Sequence, residues 1–116
     1  MDQAELEQRL AELMSNLSEC EGLIVSDKEG QVLVGQTLVE RDLEGIAKAA
    51  VSLINSSSNL GGRVEKGVMK NAVFEYNGGF AILINTDEKI FIALLGVDGK
   101  SSATLLKRRL NAIANS

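Results

Sequence analysis

Leu6, Leu10, Leu13 and Leu17 recur at intervals of four, three and four. That is the spacing of one helical face and predicts an amphipathic helix over residues 2–17. Asp2 followed by Glu5 has the form of a capping box. Two short apolar runs follow, 22–26 and 31–36, joined by Asp27-Lys28-Glu29-Gly30. So short a connection demands an antiparallel hairpin, because a parallel pair needs a long crossover. Leu43, Ile46, Ala50, Leu53 and Ile54, widened by Ala47 and Val51, predict a second helix over 40–59, with Leu60-Gly61-Gly62 as its left-handed stop. Residues 66–76 alternate, Asn77-Gly78-Gly79 signals a hairpin, and the runs 80–85 and 90–95 are apolar at nearly every position. Strands of that kind are covered on both faces. Ala103, Leu106, Leu110 and Ile113 predict a closing helix over about 101–114, capped by Ser101 or Ser102.

The order helix, two strands, helix, three strands, helix predicts an α/β (α+β) domain over 1–116, with helices on both faces of a single five-stranded antiparallel sheet. Putting the two most apolar strands at the centre gives the strand order 2-1-5-4-3. The outer helices share one face. The first carries Asp2, Glu5, Glu7 and Glu12; the last carries Lys100, Lys107, Arg108 and Arg109. The edge strand 66–76 is long and carries Val68, Val73, Phe74 and Tyr76, and a long unprotected edge invites pairing with a second copy. The second helix also has more apolar circumference than one sheet face buries, and Gly45, Ala49 and Ser52 form a row of small side chains along it. The expectation is a two-fold dimer built on Gly45, Ala49, Leu53, Val68, Lys70, Ala72 and Phe74.

Composition narrows the chemistry. The 116 residues carry a net charge of −4, no His and one Cys. An acidic domain is poorly suited to nucleic acid, which needs a basic surface. Without His there is no His-based general base or triad, and one thiol forms neither an intrachain disulfide nor a zinc cluster. No apolar run approaches the roughly 20 residues of a membrane span, and the acidic start is unlike a signal peptide. A cytoplasmic protein without metal or cofactor is expected. Gly96-Val97-Asp98-Gly99-Lys100-Ser101 ends like a phosphate loop, but position 94 is Leu where that pattern requires Gly; a turn and helix start is the expectation. Asp87-Glu88 reads as a solvated turn. Cys20 sits between Glu19 and Glu21, and neighbouring anions disfavour the thiolate. No catalytic residue emerges.

The combined order and spacing resemble the roadblock (dynein light chain) family. The residues that carry the resemblance are Gly22-Leu23-Ile24-Val25-Ser26-Asp27, the turn Gly30, Leu60-Gly61-Gly62 after a long helix, the strands 80–84 and 90–95, and the Leu-rich closing helix. The resemblance implies a homodimer with a continuous ten-stranded sheet and a platform made by the two second helices. It further implies a non-enzymatic regulator or adaptor of a small Ras-like GTPase, contacted through Glu44, Lys48, Ser52, Asn55, Ser56 and Asn59. No Arg lies inside that helix, so an arginine finger is not expected; repositioning of the GTPase's own switch segments is. Two alternatives stand beside it: a structural or light-chain-like subunit with no effect on nucleotide turnover, and a small-ligand sensor.

Overall fold

In the computed structural model, which covers residues 1–116, the Asp2 carboxylate caps the first helix by accepting from Glu5 N–H at 2.8 Å. The elements are α1 (Gln3–Asn16), β1 (Cys20–Asp27), β2 (Val32–Thr37), α2 (Leu43–Arg63), β3 (Asn71–Tyr76), β4 (Gly79–Asn85), β5 (Lys89–Leu95) and α3 (Lys100–Ala114). The five strands form one antiparallel sheet in the order β2-β1-β5-β4-β3, as the apolar pattern predicts. In the first hairpin Asp27 Oδ1 accepts from Glu29 and Gln31 N–H, and Gly30 takes a positive φ of 89°.

The sheet divides two cores. Leu6, Leu10, Leu13 and Leu17 join Ala103, Leu106 and Leu110 over Leu23, Val25, Ile82, Ile84, Phe91 and Ala93, so α1 and α3 share one face. The other core is smaller: Ala47, Ala50 and Ile54 of α2 cover Ile24, Leu83, Ile90 and Ile92. β4 and β5 are buried along most of their length, in keeping with their central places.

Four local expectations are corrected. First, α2 does not stop at Leu60-Gly61-Gly62 but continues to Arg63. Gly61 has a different task there: its carbonyl accepts from Lys66 and Gly67 N–H (2.6 and 3.2 Å), and a Cβ at Gly61 would run into the Gly67 carbonyl oxygen. The left-handed residues are instead Glu65 and Gly67. Second, the third strand spans 71–76, not 66–76; residues 66–70 belong to the connection folding back on α2, so the free edge is shorter than expected. Third, α3 starts at Lys100 with Gly99 at its N-cap, so neither Ser101 nor Ser102 caps it. Fourth, Leu53, assigned to the buried stripe of α2, is instead 38% exposed.

Gly61 yields a prediction. Gly→Ala inside a helix ordinarily stabilises by about 1 kcal/mol. At Gly61 the sign reverses: Gly61→Ala costs about 1–3 kcal/mol, because the returning 64–67 segment has to shift. Urea unfolding of the two proteins checks it.

Candidate functional site

Helix α2 starts at Asp42, whose carboxylate accepts from Gly45 N–H. A Cβ on Gly45 would meet that carboxylate, so the capping side chain is the neighbour of this glycine. Leu43 lies against Gly35 of β2, and Gly30 lies against the Lys48 backbone. At the far end Ser58 Oγ accepts from Met69 N–H at 3.0 Å. These contacts draw α2 from the β2 side toward the end of the sheet where β3 begins.

A polar clamp secures that end. Lys28 Nζ donates to Asn85 Oδ1 and, at 2.7 Å, to the Thr86 carbonyl. Asn85 Nδ2 donates to the Met69 carbonyl at 2.7 Å. The β1–β2 and β4–β5 turns and the loop before β3 are thus tied together. Nothing in the periodicity distinguished Lys28, Asn85 or Ser58, because such bonds join residues distant in sequence. A polar cleft of about 720 Å³ opens beside them, between Lys70, Asn71 and the β4–β5 turn on one side and Asn111 and Asn115 of α3 on the other.

Part of the α2-side face is left open. A groove of about 280 Å³ runs between Ile46 and the sheet residues Ala81, Leu94 and Tyr76, with Arg41 and Glu21 at its rim. Tyr76 is 56% exposed. Sequence reasoning assigned no role to Ile46 or Leu94 at an uncovered surface; their apolar character alone read as core.

All six platform residues, Glu44, Lys48, Ser52, Asn55, Ser56 and Asn59, are exposed. At 3.6 residues per turn, five of them fall within one stripe about 80° wide, with Ser56 just beyond it. Of the interface candidates, Ala49 and Leu53 lie on the flank of α2 that turns toward Ile46 and the groove. Ala72 and Phe74 are half-buried in β3, while Val68 and Lys70 are exposed in the preceding loop.

The remaining chemical candidates are quiet. Asp87 and Glu88 are exposed. The 96–101 segment makes a turn in which Gly99 N–H donates to the Gly96 carbonyl. A Cβ at Gly96 would fall 2.9 Å from a Glu21 carboxylate oxygen, so an anion at this turn would meet negative charge. No group of three or more Cys, Asp or Glu side chains is placed to hold a metal ion, and no helix is long and apolar enough to cross a membrane.

Cys20 is buried, with Sγ donating weakly to the Gly22 carbonyl. Burial pushes its thiol above the ordinary 9.0; the Gly22 backbone works against this and the Glu21 carboxylate adds to it.

The structure is an α/β/α sandwich with a groove left open on the α2 face. The sequence matches the family model of the Roadblock/LC7 domain over residues 6–96, and the chain belongs to that family. Its fold is similar to that of a Roadblock/LC7 domain from Streptomyces avermitilis (14% identity, 94% of this chain and 91% of that one, TM-score 0.82). It is also similar to Myxococcus xanthus MglB (11% identity, 98% and 85%, TM-score 0.85). A third likeness is to the gliding protein MglB of Thermus thermophilus (13% identity, 95% and 91%, TM-score 0.70). No curated protein matches the chain.

Cys20 supplies a prediction with a definite sign. The folded thiol is a weaker acid than the unfolded one, so its contribution to stability is complete below pH 9.0 and declines as pH rises beyond it. At pH 8 a thiol-specific reagent should modify Cys20 only as fast as the protein opens, and at once in denaturant. Immediate labelling of the native protein would contradict its burial.

Proposed function

We propose that the chain, as one roadblock-like domain over 1–116, is a non-enzymatic homodimeric adaptor that works in the cytoplasm. It binds a small Ras-like GTPase and alters its GTP hydrolysis or its location. The observation that carries this reading is the exposed stripe Glu44, Lys48, Ser52, Asn55 and Asn59 on α2. It is polar and mixed in charge, and it is carried on a helix fixed at both ends by hydrogen bonds and close glycine contacts. Its side chains have no buried task on the sheet. Membership of the Roadblock/LC7 family supports the choice of partner.

With no Arg on the stripe, the effect on turnover would come from complementary contacts that hold the GTPase's switch segments in one conformation. The alternative scaffold role uses the same surface and leaves turnover unchanged.

Ser52 lies at the middle of α2 and is exposed, so Ser52→Arg leaves the fold intact and obstructs the stripe. The expected outcome is at least about tenfold weaker GTPase binding, the order of effect of a disrupted interface contact, at unchanged thermal stability. Multiple-turnover GTP hydrolysis and nucleotide exchange by the cognate GTPase, with and without the protein, separate the two roles. A change in either rate supports regulation, whereas binding with both rates unchanged leaves the scaffold. Undiminished binding by Ser52→Arg would remove the stripe from consideration.

A further inference from the structure

Residues 55–70 are tied to the sheet through one residue, and we propose that they form a hinged corner of the fold, latched by Asn85, with Lys28 as the positioning residue that holds Asn85 in place. Release of the latch moves the far half of the exposed α2 stripe, Asn55, Ser56 and Asn59, relative to the near half, Glu44, Lys48 and Ser52. The consequence for a GTPase rests on the proposed function; the latch itself does not.

The corner consists of residues 55–63 of α2, which rise about 13 Å beyond Ile54, and the connection to β3. Ile54 is the last buried residue of the helix, and none of residues 55–70 is buried. Leu60, Val64 and Val68 stand in water, 63%, 53% and 71% exposed. Met69 alone of the corner packs against the smaller core. Apolar burial therefore contributes little to keeping the corner in place.

Within itself the corner is firm. Met69 N–H donates to Ser58 Oγ at 3.0 Å, the Gly61 carbonyl accepts from Lys66 and Gly67 N–H, and Arg63 Nε donates to Asn59 Oδ1 at 2.9 Å. Each of these bonds joins one part of the corner to another. Apart from the chain's own continuation into α2 and β3, two hydrogen bonds join the corner to the body, and both come from Asn85. Its Nδ2 donates to the Met69 carbonyl and its main-chain N–H to the Lys70 carbonyl, each at 2.7 Å. An element with so few buried contacts and ties opens at lower free energy than the core beneath it.

Asn85 donates to Met69 only while its amide is turned one way. Lys28 sets that orientation: its Nζ donates to Asn85 Oδ1, and a second bond to the Thr86 carbonyl fixes Lys28 to the same turn. An ammonium has no lone pair, so it selects the amide oxygen and leaves the NH2 group for Met69. The polar cleft beside Lys70, Asn71 and Asn85 gives water access to both Asn85 bonds when the corner swings out. Closed and open corners thus differ by two hydrogen bonds exchanged for water and by one methionine contact. A difference of that size is within reach of a partner that touches both halves of the α2 stripe.

Amide hydrogen exchange read by mass spectrometry separates a latch from a general support. Asn85→Asp is nearly isosteric, keeps an acceptor for Lys28 and turns the Nδ2 donor into an oxygen facing the Met69 carbonyl. In the full chain, without a GTPase, exchange across 57–69 should rise about tenfold, the weight of a lost hydrogen bond, while β1, β5 and α3 exchange as in the wild type. Lys28→Met leaves both Asn85 donors in place, so it serves even where the Asp variant folds poorly; it should raise exchange in the same segment by a smaller factor. An unchanged corner, or a rise shared equally by the core strands, would overturn the latch. Saturating GTPase should restore the lost protection in Asn85→Asp, because it favours the closed corner. A GTPase that binds yet leaves the corner exchanging as fast as before would overturn the coupling to α2. Absence of GTPase binding by the wild type would sink the proposed function, and the exchange of the unliganded proteins would still decide the latch.

Discussion

One helix lies over a sheet face that takes two helices to cover. On the opposite side α1 and α3 together bury the central strands and reach the β2 edge at Val34. On this side α2 alone runs diagonally, and its buried contacts are three small or medium residues, Ala47, Ala50 and Ile54. The imbalance leaves apolar sheet surface near Ala81, Leu94 and Tyr76 in contact with water. Burial of apolar area is the main favourable term in folding and association alike. The surface left over after folding is therefore the natural driving force for association, and the direction of α2 determines where that surface lies.

That direction is imposed by short contacts at both ends of the helix, and packing in the middle follows from it. Leu43 against Gly35 and the Lys48 backbone against Gly30 bring the start of α2 close to the first hairpin. Ser58 to Met69, together with the fold-back of 64–67 on Gly61, holds the other end beside β3. The Lys28–Asn85–Met69 relay connects the turns below it. A helix held in this way presents its outer stripe at a fixed height and angle. A recognition surface needs that property, because ordering a loose helix on binding would reduce affinity.

Much of the fold was legible because it rests on periodicity. The heptad-like leucines of α1, the doubly apolar β4 and β5, and the Asn-Gly-Gly turn each have one economical reading, and the strand order follows from placing the apolar strands at the centre. The errors fall where distant parts of the chain meet. Leu60-Gly61-Gly62 carries the residues of a helix stop, yet Gly61 is present because the Gly67 carbonyl comes close to it. Alternation continued back to Lys66, yet the backbone left the sheet at Lys70 to reach α2. Gly45 suggested a close helix contact, and its neighbour is the Asp42 carboxylate that caps the same helix. For the proposed site, the family resemblance pointed to α2, and helical phase picked out its exposed positions. Neither identified the groove, because an apolar residue at a sheet position looks the same whether or not a helix happens to cover it.

The low identity of the structural relatives, 11–14% over nearly the whole chain, shows what such a fold demands. Apolar positions tolerate exchange so long as volume and pattern survive, and close-approach glycines fix the path of α2. Neither demand constrains most of the outward stripe: the Lys48 side chain passes close to Gly30, but Glu44, Ser52, Asn55 and Asn59 are exposed. Specificity for one partner over another is a difference between affinities, and under the proposed function it would fall to the positions that the fold leaves free. The shared architecture thus fixes where α2 stands, while under the proposed function the identity of what binds would rest on a handful of side chains that contribute little to stability.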